Sequence, residues 1–418
     1  MSDTAAAGAP RPPGGPDTVA GPVGTATRTP LPASTGHTLT SVYLFVVYGL
    51  LALGMGLVPA LVTTFREEYG LSGGRLANVQ NLKDIGLITA MFAGPVLLRR
   101  IGVARMTTLA VLVGLAGCAV LITAQEYAGV LAGAFLHGAT FSLGALATVS
   151  YLYRLPKRYH RISALYATFG VASFVAPSMV GVLVPADGDY RTVYMIFAAA
   201  LAVLFAAGKL LDRYTDTATA RDAGPAGQPR LTRAMLRGWL PHIAVYATLM
   251  AGETVVVSWV TSLGQYRYGL TLSDASFLLA LLWVAYTPAR AAGDLLLRHL
   301  TVTTVVLLGA LLIIVGDVLI CAGSVPLAHV GVVVFACGAA PLVPVYQGWM
   351  LSRTPTDRHG PLNASLGVGS AVLTTVLVWL TGLSVDVDTR LPFAASVVCS
   401  VGLAVWALRS RTRGTTVS

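Results

Sequence analysis

Charge is what this chain has least of. Only 11% of its 418 residues are Asp, Glu, Lys or Arg, against about 25% in a soluble globular protein. So little charge cannot cover a water-facing surface of this size. Cysteine is scarce too. Cys118, Cys321, Cys337 and Cys399 all fall inside apolar runs, none at metal-ligand spacing from another, so they read as small core residues. The chain has no G-x-x-x-x-G-K-[ST], no H-E-x-x-H and no C-x-x-C. Large hydrophilic loops that would house a catalytic centre are missing as well. These absences argue against an enzyme, a cofactor or a resident metal, and against ATP as energy source unless a partner chain supplies it. Residues 1–37 contain no apolar h-region, so they are not a signal peptide. Rich in Pro, Gly, Ala and Thr, they are expected to form a disordered tail, with a regulatory role left open.

What the chain has in excess is apolar length. Hydrophobic residues make up 55% of it, and runs of 18 or more such residues read as membrane spans. Twelve runs fit, at 41–64, 76–98, 104–124, 127–153, 162–184, 191–212, 239–263, 275–297, 302–323, 327–351, 362–384 and 391–409. The net charge of +10 is distributed unevenly. With the N-terminus inside, 21 Lys and Arg fall on the inner side. Only Arg66, Arg75, Arg191, Arg267 and Arg390 fall outside. Such asymmetry places both termini in the cytoplasm, and makes the basic charge a topology signal rather than a nucleic-acid footprint. The polar stretch 213–238, with Gly224-Pro225 inside it, is expected to be a central cytoplasmic loop against the anionic inner leaflet. Ala-, Val-, Gly- and Arg-rich usage suggests a GC-rich bacterial genome, hence a bacterial inner membrane.

The chain also nearly repeats itself at an offset of about 199 residues. Tyr69-Gly70-Leu71-Ser72 returns as Tyr268-Gly269-Leu270-Thr271. Leu97-Leu98-Arg99-Arg100 returns as Leu296-Leu297-Arg298-His299. Arg154, Pro156 and His160 match Arg353, Pro355 and His359. Two bundles are therefore expected, 38–212 and 239–410, followed by a short tail at 411–418. Six spans each is an even number, so the copies share one orientation, related by an axis along the membrane normal.

Twelve spans, a six-plus-six repeat and cytoplasmic termini together resemble the major facilitator superfamily. Between spans two and three the chain reads Gly94-Pro95-Val96-Leu97-Leu98-Arg99-Arg100-Ile101-Gly102. The family's Gly and paired basic residues are there, but Leu98 stands where the family has Asp. The second copy carries Gly293, Asp294 and Arg298. In the family this cluster locks the cytoplasmic ends, so the resemblance implies gating for these residues. The missing acid leaves Arg99 and Arg100 to pair with helix carbonyls or lipid phosphate. In span five, Ala176-Pro177-Ser178-Met179-Val180-Gly181 is similar to the Gly-Pro element of the family's proton antiporters. That tilts the expectation toward export. The family works by alternating access around a midplane site, as a monomer on a small-molecule substrate.

Charges inside spans cost about 2.5–3.5 kcal/mol each by insertion scales, so each needs a purpose. Glu253, in span seven, has Met55 as its repeat mate and is nominated as the proton carrier or the partner of a substrate cation. Asp84 is the second candidate. Adjacent Lys83 points about 100° away on a helix, so each is expected to face a different partner, with Lys83 reaching outward. His137 in span four suits proton transfer or an ordinary helix hydrogen bond. Arg290 in span eight suits a bidentate clamp on an anion, neutralisation of Glu253, or a local pair with Asp294 one turn on. Tyr48, Tyr246, Tyr286, Tyr346 and Gln347 are expected to line the cavity, although helix packing explains the tyrosines equally well. Asp317, in a span that usually faces away, is set aside. The expectation is an all-α integral membrane protein of 12 transmembrane helices. It would export a small organic molecule against protons, with proton-coupled uptake of an organic anion or sugar as the alternative. A transporter-like sensor or lipid translocator comes third.

Overall fold

The computed structural model describes residues 33–159, 161–184, 189–212, 232–355 and 358–412. Its first half comprises α1 (Ala33–Ala60), the short α2 (Val62–Tyr69), α3 (Gly73–Ile101), α4 (Val103–Thr123), α5 (Tyr127–Leu152), α6 (Ile162–Leu183) and α7 (Arg191–Asp212). The second half comprises α8 (Arg233–Tyr268), α9 (Leu272–Ala291), the one-turn α10 (Gly293–Leu296), α11 (Val302–Cys321), α12 (Val325–Ala339), α13 (Leu342–Ser352), α14 (His359–Val385) and α15 (Leu391–Thr412). Eleven spans among the described residues are long and apolar enough to cross a bilayer, α12 and α13 counting as one. Helix α6, at 22 residues, makes the twelfth. The protein is a twelve-span membrane protein of two six-helix bundles. Helices are the natural answer here, because lipid offers no partner to a free backbone N–H or C=O.

The repeated tetrapeptide is a stop-and-start signal. Gly70 ends α2 and Gly269 ends α8, both in the left-handed region (φ 58° and 65°) that a side chain disfavours. Ser72 and Thr271 then open α3 and α9. The Thr271 hydroxyl accepts from the Asp274 N–H at 3.1 Å, satisfying one free donor of the first turn. Span eight breaks after Ala291, and span ten breaks at Ala340–Pro341, where proline removes a backbone donor.

Three boundaries differ from the sequence reading. Helix α1 starts at Ala33 rather than after residue 37, and α8 starts at Arg233 inside the expected loop, with Thr232 accepting from the Met235 N–H as its cap. At the far end, α15 runs on to Thr412, past the bundle limit at 410. Polar first and last turns need no lipid, so hydropathy does not mark them. Residues 1–32 and most of the central stretch lie outside the described residues.

Small residues let the helices touch. A side-chain carbon on Gly138 would overlap the Lys83 carbonyl, and one on Gly86 would overlap that of Phe135, so α3 and α5 meet backbone to backbone. In the second half Gly309, Gly316 and Gly338 bring α11 and α12 together in the same way. This is the packing expected where apolar burial supplies no drive between helices. The outer surface is apolar, with Val203 and Val398 about 70% and 71% exposed, as a lipid-facing shell requires. The bundles join along two pairs, α6 with α9 and α3 with α14. A Cβ on Gly170 would stand 2.5 Å from Thr287 Oγ1, and Gly73 meets Gly382 backbone.

Gly138→Leu should therefore cost about 1–3 kcal/mol through overpacking, read as a lower melting temperature in detergent. An unchanged melt would contradict the α3–α5 contact.

Candidate functional site

The joint between the bundles carries a polar cluster. Tyr286, on α9, donates its hydroxyl to Glu253 Oε2 on α8 at 2.7 Å. One turn further along α9, the Arg290 guanidinium lies over the Tyr286 ring, 5.5 Å from its centre. Tyr286 thus stands between acid and base, bonded to one and stacked under the other. Glu253, Tyr246 and Tyr48 all act on Arg290 electrostatically. Tyr48 belongs to α1, so the cluster draws on both halves. Five of the nominated residues come together here. A cation over an aromatic face and a charge-assisted hydrogen bond are both stronger away from water.

An aromatic file leads to this cluster across the joint. Tyr48 packs on Phe141 of α5 (centroids 5.8 Å apart), Phe141 on Phe169 of α6 (5.5 Å), Phe169 on Trp283 of α9 (6.1 Å), and Trp283 on Tyr286 (5.1 Å). Angles between 55° and 77° are the tilted and edge-on arrangements aromatic pairs prefer. Phe141, Phe169 and Trp283 carry no charge and no motif, so the sequence reading passed over them. The signal available was their place in spans four, five and eight, on either side of the joint.

Other nominated residues lie elsewhere. Lys83 Nζ sits 3.5 Å from Asp84 Oδ1, so the two do pair, contrary to the expectation of separate partners. The flexible Lys stem spans the 100° between neighbours, and Lys83 is buried rather than reaching outward. Asp84 occupies the α3 face that turns to α14, between Ala77, which meets Gly382, and Met91, which meets Gly367. His137 is buried inside the first bundle. Its Nδ1 is 3.0 Å from the Gly133 carbonyl, and its ring packs on Tyr194 and Phe197 of α7. This geometry takes His137 off the cavity wall. Tyr346 likewise turns into the second bundle, its hydroxyl 2.9 Å from His242 Nδ1 and its ring against Trp349 and Trp406. Gln347 donates to Asn363 Oδ1 at 3.1 Å, tying α13 to α14. Spacing along a helix gives depth, but side-chain packing sets rotation, which is why these placements departed from expectation.

The two ends of the molecule differ. At the end away from the start of α1, Arg66 binds Asp386 at 2.7 Å, joining the halves. Asp386 also accepts the Gly73 N–H at 2.7 Å, and Arg66 lies over the Tyr266 ring at 4.9 Å. Nearby, Arg390 holds the Asp388 carboxyl well down, to about 2, through side-chain and backbone hydrogen bonds. That turn therefore stays ionised at neutral pH, and its contribution is lost only as pH falls toward that value. The other end is rich in arginine. There Arg99, Arg100 and Arg298 are exposed. Gly94 packs on Leu146, Gly102 takes φ 78° before α4, and Gly293 packs on Val345 and Pro341. The side chain of Asp294 lies outside the described residues, and with it the expected pair with Arg290. Pro177 lies within α6, while Gly181 touches Ser273 and Ser276 of α9. The halves are thus tied to each other by Arg66 and Asp386 at the end away from the arginines.

Two six-helix bundles in contact along α6–α9 and α3–α14 are the architecture of a membrane transporter. The Major Facilitator Superfamily profile matches residues 44–375. The chain belongs to the Major Facilitator Superfamily. Similar solved structures include the nucleoside transporter NupG (TM-score 0.72, 12% identity, 90% of this chain and 98% of that chain). The peptide transporter POT in complex with sulfate is also similar (0.69, 14%, 88% and 94%), as is a D-xylose-proton symporter (0.68, 12%, 88% and 96%). No curated protein matches the chain.

Two outcomes follow from this geometry. Tyr286→Phe keeps the ring but removes the donor to Glu253. A hydrogen bond to a charged group is worth about 1.5–3 kcal/mol, so transport should fall about tenfold or more in vesicle flux assays with little loss of fold. Asp386→Asn should loosen the clamped end, raising the labelling rate of a cysteine placed at Ala77.

Proposed function

We propose that this chain is a proton-coupled transporter that exports a small organic molecule by alternating access, as a monomer in a cell membrane. The basic end is taken as cytoplasmic, following the charge asymmetry. The observation that carries the reading is the Glu253–Tyr286–Arg290 cluster at the joint between the halves. An acid, a hydroxyl and a guanidinium share one part-buried site, where gain or loss of a single proton changes the local net charge by one.

The coupling follows from that arithmetic. With Glu253 ionised, its charge offsets Arg290 and the site accepts a neutral or cationic substrate. A proton arriving from outside neutralises Glu253, weakens its hold on the Tyr286 hydroxyl, and leaves the Arg290 charge uncompensated. A cationic substrate is then expelled as the proton enters, which is antiport. Asp84 on the α3–α14 seam is the second proton candidate. Its pairing with Lys83 gives protonation a direct electrostatic effect where the halves must part. The Pro177–Gly181 stretch of α6, which resembles the antiporter element, lies against α9, where the halves would rock.

The same electrostatics supports a second reading. An uncompensated Arg290 beside an aromatic wall attracts a substrate carboxylate or phosphate, and proton and anion would then enter together. Substrate charge thus selects the direction. Right-side-out vesicles under an imposed pH gradient separate the two: export predicts proton uptake as substrate leaves, whereas co-uptake of proton and substrate indicates import. Glu253→Gln should abolish proton coupling while substrate exchange persists, and retained coupling would remove Glu253 from its role.

A further inference from the structure

The repeat extends to a pair of pockets at the basic end, and the two copies differ there by more than tenfold in size. In the first half a recess of about 20 Å³ is lined in part by Thr40, Tyr43, Tyr151 and Leu211. In the second half a pocket of about 380 Å³ is lined in part by Trp239, His242, Met350 and Ser410. Residues at matching places line both, Thr40 and Trp239, Tyr43 and His242, Tyr151 and Met350, Leu211 and Ser410, each pair 199 residues apart and, on α1 and α8, one position off the register that pairs Met55 with Glu253.

The contrast has a local cause. In the first half the Tyr43 hydroxyl closes over Gly208, filling the space between α1 and α7. In the second half His242 takes that position, and its Nδ1 is held 2.9 Å from the Tyr346 hydroxyl. His242 and Trp349 meet edge to face, centroids 5.4 Å apart. Tyr346 sits against both Trp349 and Trp406, at 5.4 and 5.6 Å. The aromatic groups form walls and leave the middle empty. The composition fits. All six tryptophans of the chain fall in the second copy, and Trp239, Trp349 and Trp406 border this pocket. A duplication that conserved only the scaffold would not concentrate them so.

The polar groups at the pocket indicate what it takes. Arg353 lines it, its guanidinium 5.0 Å over the Trp349 ring. Guanidinium and indole can only donate hydrogen bonds. The Trp349 indole N–H is buried and meets no hydrogen-bond partner among the described residues. Among the described residues no lining residue is acidic, and Arg237 and Arg409 each neighbour a lining residue in sequence. An aromatic cage alone would suit an organic cation, but the Arg353 charge on its wall opposes one. A ligand rich in acceptor oxygens, negatively charged and carrying apolar matter for the indoles, satisfies every wall.

We propose that this pocket binds a phosphate-bearing ligand, its phosphate on Arg353 and its apolar part against Trp239, Trp349 and Trp406. Two sources share that chemistry: the headgroup of an anionic lipid and a soluble phosphate compound. The pocket's place at the basic end, where tryptophan and arginine meet the lipid headgroups, suits the first. The site is separate from the Glu253 cluster, and its occupancy would stiffen α8, α13 and α15 against one another.

Dioctanoyl phosphatidylglycerol, titrated into the purified full-length chain in detergent, should quench tryptophan fluorescence saturably and raise the melting temperature. Dioctanoyl phosphatidylcholine, zwitterionic but otherwise alike, should do so at least tenfold more weakly. Arg353→Gln and Trp406→Ala should each weaken phosphatidylglycerol binding tenfold or more, while Tyr43→Phe in the first half leaves it unchanged. Inorganic phosphate competing at comparable concentration assigns the site to soluble phosphate compounds; failure to compete assigns it to lipid. The proposal is overturned if neither phosphatidylglycerol nor phosphate binds, or if both bind Arg353→Gln as they bind the native chain. Should Arg353→Gln fail to fold, Trp239→Ala carries the same comparison.

Discussion

Lipid gives no hydrogen-bond partner to a backbone group, and the rest of this structure depends on that. Every span must be helical, every helix must satisfy itself, and helices must adhere without the drive that apolar burial supplies in water. The molecule responds with glycine. Gly86 and Gly138 bring α3 onto α5, while Gly170 and Gly181 bring α6 onto α9. The first pair builds a bundle; the second lies on the joint between bundles. One device thus holds helices together both inside a bundle and across the joint.

The same constraint makes every ionisable group in a span informative. Glu253 and Arg290 share Tyr286 rather than standing alone in lipid. Lys83 and Asp84 form a pair on the seam. Asp317, set aside on sequence grounds, is buried inside the second bundle facing Ser396 of α15. Position separates these groups: Lys83 and Asp84 lie on the α3 face that turns to α14, whereas Asp317 is enclosed within one bundle.

Duplication supplies the frame, and departures from it supply the chemistry. The halves share the Gly70 and Gly269 caps, which are architecture. They differ at Met55 and Glu253 and, one position off that register, at Tyr43 and His242. The first difference puts an acid beside the joint. The second opens a cavity at the basic end.

Twelve spans, their order, the repeat and the membership of Glu253, Tyr286, Arg290, Tyr48 and Tyr246 in one neighbourhood were legible in the residues. Hydropathy depends on composition, and depth depends on counting along a helix, both properties of the chain alone. Rotation was not legible. His137 and Tyr346 lie at plausible depths yet turn into their own bundles. Phe141, Phe169 and Trp283 bear no motif yet complete the wall. Which way a side chain faces depends on the neighbours that pack around it, and those come from distant parts of the chain. The linear order of residues thus determined what this protein is made of and which segments are apolar enough to span a membrane. Only the packing of helix on helix decided which parts meet.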